Sequence, residues 1–72
     1  MPIHSIRLKL AKRIKQIRKA KKLSAREVAV RCKMHLREYQ RIESAKPPDM
    51  RASTIARVAK ALRVSLRYLF TF

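Results

Sequence analysis

Apolar residues recur along the chain at helical spacing. Ile3, Ile6, Leu10, Ile14 and Ile17 step by three, four, four and three positions. They form one stripe on a helix over about 5–21. Ser24 and Glu27 then stand as S-x-x-E, a capping box in which each side chain satisfies the other residue's backbone amide. It opens a helix over about 25–32 with Val28, Ala29 and Cys32 inward. The triplet "KMH" makes a turn into a third helix over about 36–44, with Tyr39 and Ile42 inward. Pro47 and Pro48 break the chain, because proline cannot continue a helix. A fourth helix over about 52–62 buries Ile55, Val58, Ala59 and Leu62. Ser65 caps a short fifth over about 66–70, where Leu69 and Phe70 close the core. No run alternates β-branched and aromatic residues with polar ones, so the expected class is all-α. The stretch "AKPPDM" is too short to separate domains, and residues 1–72 read as one compact five-helix domain.

Charge changes the picture most. Twenty Lys and Arg face four acids, Glu27, Glu38, Glu43 and Asp49, for a formal net charge of +16. Self-repulsion on that scale opposes compaction and calls for a polyanionic partner. Nucleic acid comes first, since its phosphates supply the missing counter-charge. The polar faces of the first helix carry Arg7, Lys9, Lys12, Arg13, Lys15, Arg18 and Lys19, with like charges at i,i+4 that weaken an isolated helix. Packing or a bound anion must hold it. Some of this face, Lys12 and Lys15 included, is expected to add non-specific phosphate affinity, and the rest to be solvated.

Two short helices joined by three residues, the second bearing exposed Arg and Gln, read as a helix-turn-helix. Ala29 is small where a bulky side chain would hold the two helices apart. Ile42, thirteen residues on, packs near it, and Val28 and Tyr39 fill beside them. The outer face of the second helix then carries His35, Leu36, Arg37, Gln40 and Arg41. Arg reaches guanine O6 and N7 bidentately, Gln pairs with adenine, and Leu touches a thymine methyl. Arg26 is a further expected phosphate contact. Glu38 either accepts from a cytosine N4 or holds Arg37 or Arg41 in place. Glu43, on the inner side near the helix end, suits a structural role. Near the chain end, Tyr68, Phe70 and Phe72, at and beside the short fifth helix, suit a symmetric dimer contact.

With these elements in order, residues 10–70 resemble the helix-turn-helix domain of the phage repressor and Cro class, also called the xenobiotic-response-element family. "AKRIKQIRKAKKLSAREVA", "RIESAK" and "IARVAKALRVSLRYLF" carry the resemblance. It implies a lambda-repressor-like fold and sequence-selective binding of duplex DNA, usually by a homodimer. By position, it places Leu36, Arg37 and Arg41 at base edges with Gln40 beside them, and His35 at the start of the reading helix. It places Ser24, Ser44, Lys46 and Arg51 on phosphates, and matches Arg18 and Glu43 to an internal ion pair. The family usually has glycine where this chain has Lys22, Lys33, Ala45 and Arg63, so either the turns differ or the chain tolerates left-handed strain. Tyr39 stands in place of a β-branched aliphatic and requires a partner for its hydroxyl.

Other classes find little support. There is no Gly-rich phosphate loop, no paired carboxylates and no Cys/His nucleophile arrangement, so no enzyme and no small-molecule substrate are expected. Cys32 is the only cysteine, which excludes an internal disulfide; His4 and His35 show no ligand spacing with it, so neither metal nor cofactor is expected. No run approaches the ~20 apolar residues of a membrane span. The first helix alone resembles a lipid-binding amphipathic helix, and its acid-free run a transit peptide short of serine. Both are weaker than a cytoplasmic, nucleoid-associated protein of a prokaryote or phage. The rival to a sequence-specific regulator is a basic protein that compacts DNA or binds RNA without reading sequence.

Overall fold

The computed structural model describes residues 3–72, with side chains from Ile6 onward. The chain forms α1 (Ile3–Ala20), α2 (Ala25–Cys32), α3 (Leu36–Ile42), α4 (Ala52–Leu62) and α5 (Leu66–Leu69), with no strand among the described residues. α2 packs on both α3 and α4, and α5 closes the bundle against α4 and α1. One core results. It joins Leu10, Ile14 and Ile17 of α1 to Val28, Ala29 and Cys32 of α2, Tyr39 and Ile42 of α3, Val58, Ala59 and Leu62 of α4, and Leu69 of α5.

The apolar periodicity therefore matches the buried face, with corrections near the ends and at Ile55, which is half-buried against the core rather than within it. Ile3 has its side chain outside the described residues. Ile6 continues the stripe in sequence yet remains 40% exposed. It lines an open groove with Met50, Ile55 and Phe70, which cover it only in part. Phe70 does not close the core: Leu69 is fully buried, while Phe70 is 43% exposed. α5 ends at Leu69, and Phe70 follows as its cap, lining the groove beside Ile6. α3 also ends two residues early. Glu43 leaves helical geometry, and the Ser44 hydroxyl donates to the Arg41 carbonyl at 2.6 Å, satisfying an acceptor at the end of the helix.

Three helices end by one device. Lys22, Lys33 and Arg63 adopt left-handed backbone, with φ of 58, 56 and 59°. After each, the next amide reaches back to a carbonyl five residues earlier: Leu23 to Arg18, Met34 to Ala29 and Val64 to Ala59. These are Schellman closures. The left-handed shape costs a residue with a Cβ roughly 1–2 kcal/mol. Two features offset it. Leu23, Met34 and Val64 each pack against the core directly after the strained residue. The strained residues are cationic, which suits the negative end of the helix dipole by about 0.3–1 kcal/mol. The turns after α1, α2 and α4 thus keep the left-handed geometry without glycine. Ala45 is different: it has no positive φ, and its turn takes another route.

Candidate nucleic-acid interface

α2 starts from Ser24, whose hydroxyl accepts from the Glu27 amide at 3.0 Å while the Glu27 carboxylate accepts from the Ser24 amide at 3.2 Å. The Ser24 side chain is exposed and spends only a lone pair on the cap, so its own proton remains available to an anion. Arg26, in the first turn of α2, is exposed beside it.

α3 is placed by what it buries. Tyr39 and Ile42 are 0% and 3% exposed, in one cluster with Val28 and Ala29 of α2. With that face fixed inward, Arg37, Gln40 and Arg41 share the exposed side at i, i+3 and i+4. His35 precedes them as an exposed N-cap with no side-chain capping bond. Leu36 departs from the group. It is half-buried and packs on the core, so only a portion of its side chain faces outward.

The exit of α3 is clamped. Arg18 of α1 gives Nε to Glu43 Oε2 at 2.7 Å, Nη2 to Glu43 Oε1 at 3.0 Å and Nη1 to the Leu23 carbonyl at 2.8 Å. The Tyr39 hydroxyl also donates to Glu43 Oε2. Tyr39 thereby satisfies its phenol inside the core, where an aliphatic residue would need no partner. Burial first, then the bond to Glu43, raise the Tyr39 pKa far above its ordinary value. The Arg18 pKa is raised by its bond to Glu43, against an opposing desolvation. Glu43 thus holds α1 and the body of α3 from one carboxylate. Cys32 is buried, its thiol pKa raised by desolvation, which makes it a core residue.

Beyond α3, the loop presents Lys46 and Arg51, both exposed. The Ser44 hydroxyl proton is committed to the Arg41 carbonyl, and its oxygen accepts from the Lys46 amide at 3.3 Å. Arg51 is the N-cap of α4 with no side-chain capping bond. A groove runs alongside, lined by Lys33, Glu38, Arg41, Arg51, Thr54 and Arg57 among others. Lys33 and Arg57 are not among the sequence-derived site residues. Arg57 lies on the polar face of α4, where its only signal is charge, and nothing local shows that α4 turns it toward α3. Asp49 meets Arg7 at 3.4 Å, but it is 81% exposed and the pair contributes little.

Lys12 and Lys15 are exposed on α1. At the other end, Tyr68 and Phe72 are 49% and 54% exposed. The Arg13 guanidinium stacks 4.4 Å over the Tyr68 ring, and its Nε donates to the Tyr68 carbonyl. Phe70 and Phe72 pack in a tilted pair at 6.1 Å. Among the described residues, no group of His, Cys, Asp or Glu could hold a metal ion, and no helix is long and apolar enough to cross a membrane.

The restriction-modification controller protein C.AhdI from Aeromonas hydrophila superposes with a TM-score of 0.81 at 25% identity, covering 88% of this chain and 94% of that one. No curated protein sequence matches the chain. The family model described as a helix-turn-helix domain matches residues 9–68, which takes in all of α2, α3 and α4 and most of α1 and α5. With α2 packed on α3 and Arg26, Arg37 and Arg41 exposed, the chain belongs to the helix-turn-helix domain family.

Proposed function

We propose that the protein is a sequence-specific double-stranded DNA-binding transcriptional regulator that reads the major groove with α3. The observation that carries this is the joint placement of Arg37, Gln40 and Arg41. They are exposed on one side of a helix whose other side is buried and whose exit is locked by Glu43 to Arg18. Fixed donors on a helix face are what base reading requires. Likeness to a restriction-modification controller supports regulation over packaging.

Arg37 and Arg41 take guanine edges, Gln40 an adenine, and His35 and the outward portion of Leu36 the flanking base. Ser24, Arg26, Lys46 and Arg51 hold phosphates on either side, with Ser44 joining when its hydroxyl leaves the Arg41 carbonyl. Lys12 adds sequence-independent attraction. The protein works by occupancy, without catalysis or cofactor, in the cytoplasm where the chromosome lies.

The molecule's longest extent is 32 Å. One copy offers one reading helix, so two half-sites about 34 Å apart require two copies. Tyr68, Phe70 and Phe72 form the contact between them.

Selection of binding sites from a random duplex library at about 150 mM salt tests this, because non-specific binding is already weak there. The expected result is a palindrome with half-sites one turn apart. DNA retained with no enriched motif would replace the regulator with a compacting protein held by charge alone.

A further inference from the structure

A second cationic cavity lies behind the reading unit, where the C-terminal ends of α2 and α4 meet. It has a volume of about 540 Å³, and its rim is Arg31, Lys33, Arg57, Lys60 and Arg63 over a floor that includes Cys32 and Ala61. Among the described residues, no carboxylate lines it.

Its makeup is costly in two ways. Lys33 and Arg63 are two of the three left-handed residues, and both border this one cavity. Five cations also converge there without an acid to screen them. The helix ends account for some of this: Arg31 is in the last turn of α2 and donates to the Ala61 carbonyl at 3.1 Å. A helix terminus suits one or two cations. Five around one hollow exceed that need.

The cavity also adjoins the groove beside α3. Lys33 and Arg57 line both it and the groove beside α3 that carries Arg41 and Arg51. A phosphate track leaving the groove therefore meets Arg57 and Lys33 and runs on to Lys60, Arg63 and Arg31.

We infer that this cavity binds backbone phosphates of the duplex flanking the site read by α3, so that DNA follows the protein surface from α3 toward the end of α4. The inference rests on α3 as the reading helix. An acidic protein segment is the competing occupant, and the sharing of Lys33 and Arg57 with the groove favours DNA.

The test uses Lys60→Gln with Arg63→Gly. Neither residue lines the groove beside α3. Glycine at position 63 removes the left-handed penalty, so the variant should melt at or above the wild-type temperature. Binding is measured against salt on a duplex holding only the selected site, and on the same site extended by about ten base pairs, one helical turn, at each end. Wild type should prefer the longer duplex. The variant should lose that preference, and its salt slope on the longer duplex should fall by about 1.8, at about 0.9 per phosphate. Affinity should drop roughly thirtyfold at about 0.15 M salt if binding at 1 M is unchanged, with the selected motif retained. An unchanged slope overturns the inference and leaves the cations serving the helix ends alone. Unchanged DNA binding with loss of a poly-glutamate probe overturns it in favour of an acidic protein partner. If wild type selects no motif, the α3 reading fails separately, and the slope on random duplexes still decides the cavity.

Discussion

Arg18 and Glu43, twenty-five residues apart, meet with Nε and Oε2 at 2.7 Å and tie the end of α1 to the exit of α3. Their side chains are 12% and 8% exposed. Removing one partner of such a pair strands the other charge, at about 3–5 kcal/mol. A small domain holds about 5 kcal/mol in total. Glu43→Ala should therefore bring the protein close to unfolding at room temperature, measured as collapse of the urea midpoint. Glu43→Gln keeps an acceptor for both Arg18 and Tyr39 and should lose less. A midpoint for Glu43→Ala within error of wild type would show the clamp to be idle.

Tyr39, bonded to the same carboxylate, gives the fold a pH dependence. Its folded pKa is raised above the ordinary tyrosine value of 10.0, by burial and then by Glu43. The folded state therefore keeps a proton that the unfolded state releases. That stability is fully present below pH 10 and is lost as pH climbs above it, by at most about 1.4 kcal/mol per pH unit. The comparison is with Tyr39→Phe, which differs from wild type only in the hydroxyl. Wild type should be more stable near pH 8, and its advantage should shrink between pH 10 and 11. An advantage that stays constant across that range would remove Tyr39 from the alkaline transition.

Much of this was legible from apolar spacing. The stripe through Leu10, Ile14 and Ile17, the box at Ser24 and Glu27, and the pair Pro47–Pro48 are local signals, and they place four helices within two or three residues. The interface was legible to the extent that Tyr39 and Ile42 inward force Arg37, Gln40 and Arg41 outward. What escaped is what depends on distant packing. The stack of Arg13 on Tyr68 joins residues 55 apart and leaves no trace in either neighbourhood. Ile6 satisfies the helical period, but cover is supplied by other elements. Lys33 and Arg57 border the reading groove only because α2 and α4 pack as they do. The left-handed turns were visible only as a question, and the apolar residues after them, Leu23, Met34 and Val64, supply the answer.

Those turns are testable apart from any DNA. Lys22 has φ of 58° and borders neither the reading groove nor the second cationic cavity. Lys22→Gly removes a penalty of roughly 1–2 kcal/mol and adds back roughly 0.5–1 kcal/mol of chain entropy. The net should be a gain of about 0.5–1 kcal/mol, seen as a higher melting temperature. Lys22→Ala keeps the Cβ and should show no gain. Equal stability for the two variants would mean that the strain is fully absorbed by the Schellman closure.

Arg41 separates reading from attraction. It is exposed on the face shared with Arg37 and also lines the groove toward Arg51. A bidentate contact to a guanine is specific to one base, whereas a phosphate contact is indifferent to all. Arg41→Ala should cost about 1–3 kcal/mol on the selected site and relax a single position. Lys12→Ala with Lys15→Ala should weaken every duplex alike and flatten the salt slope, because these side chains lie on α1 and attract only charge. Affinity for selected and random DNA, measured side by side, distinguishes the two. Should Arg41→Ala lower both equally, Arg41 is a phosphate ligand, and base reading passes to Arg37 and Gln40.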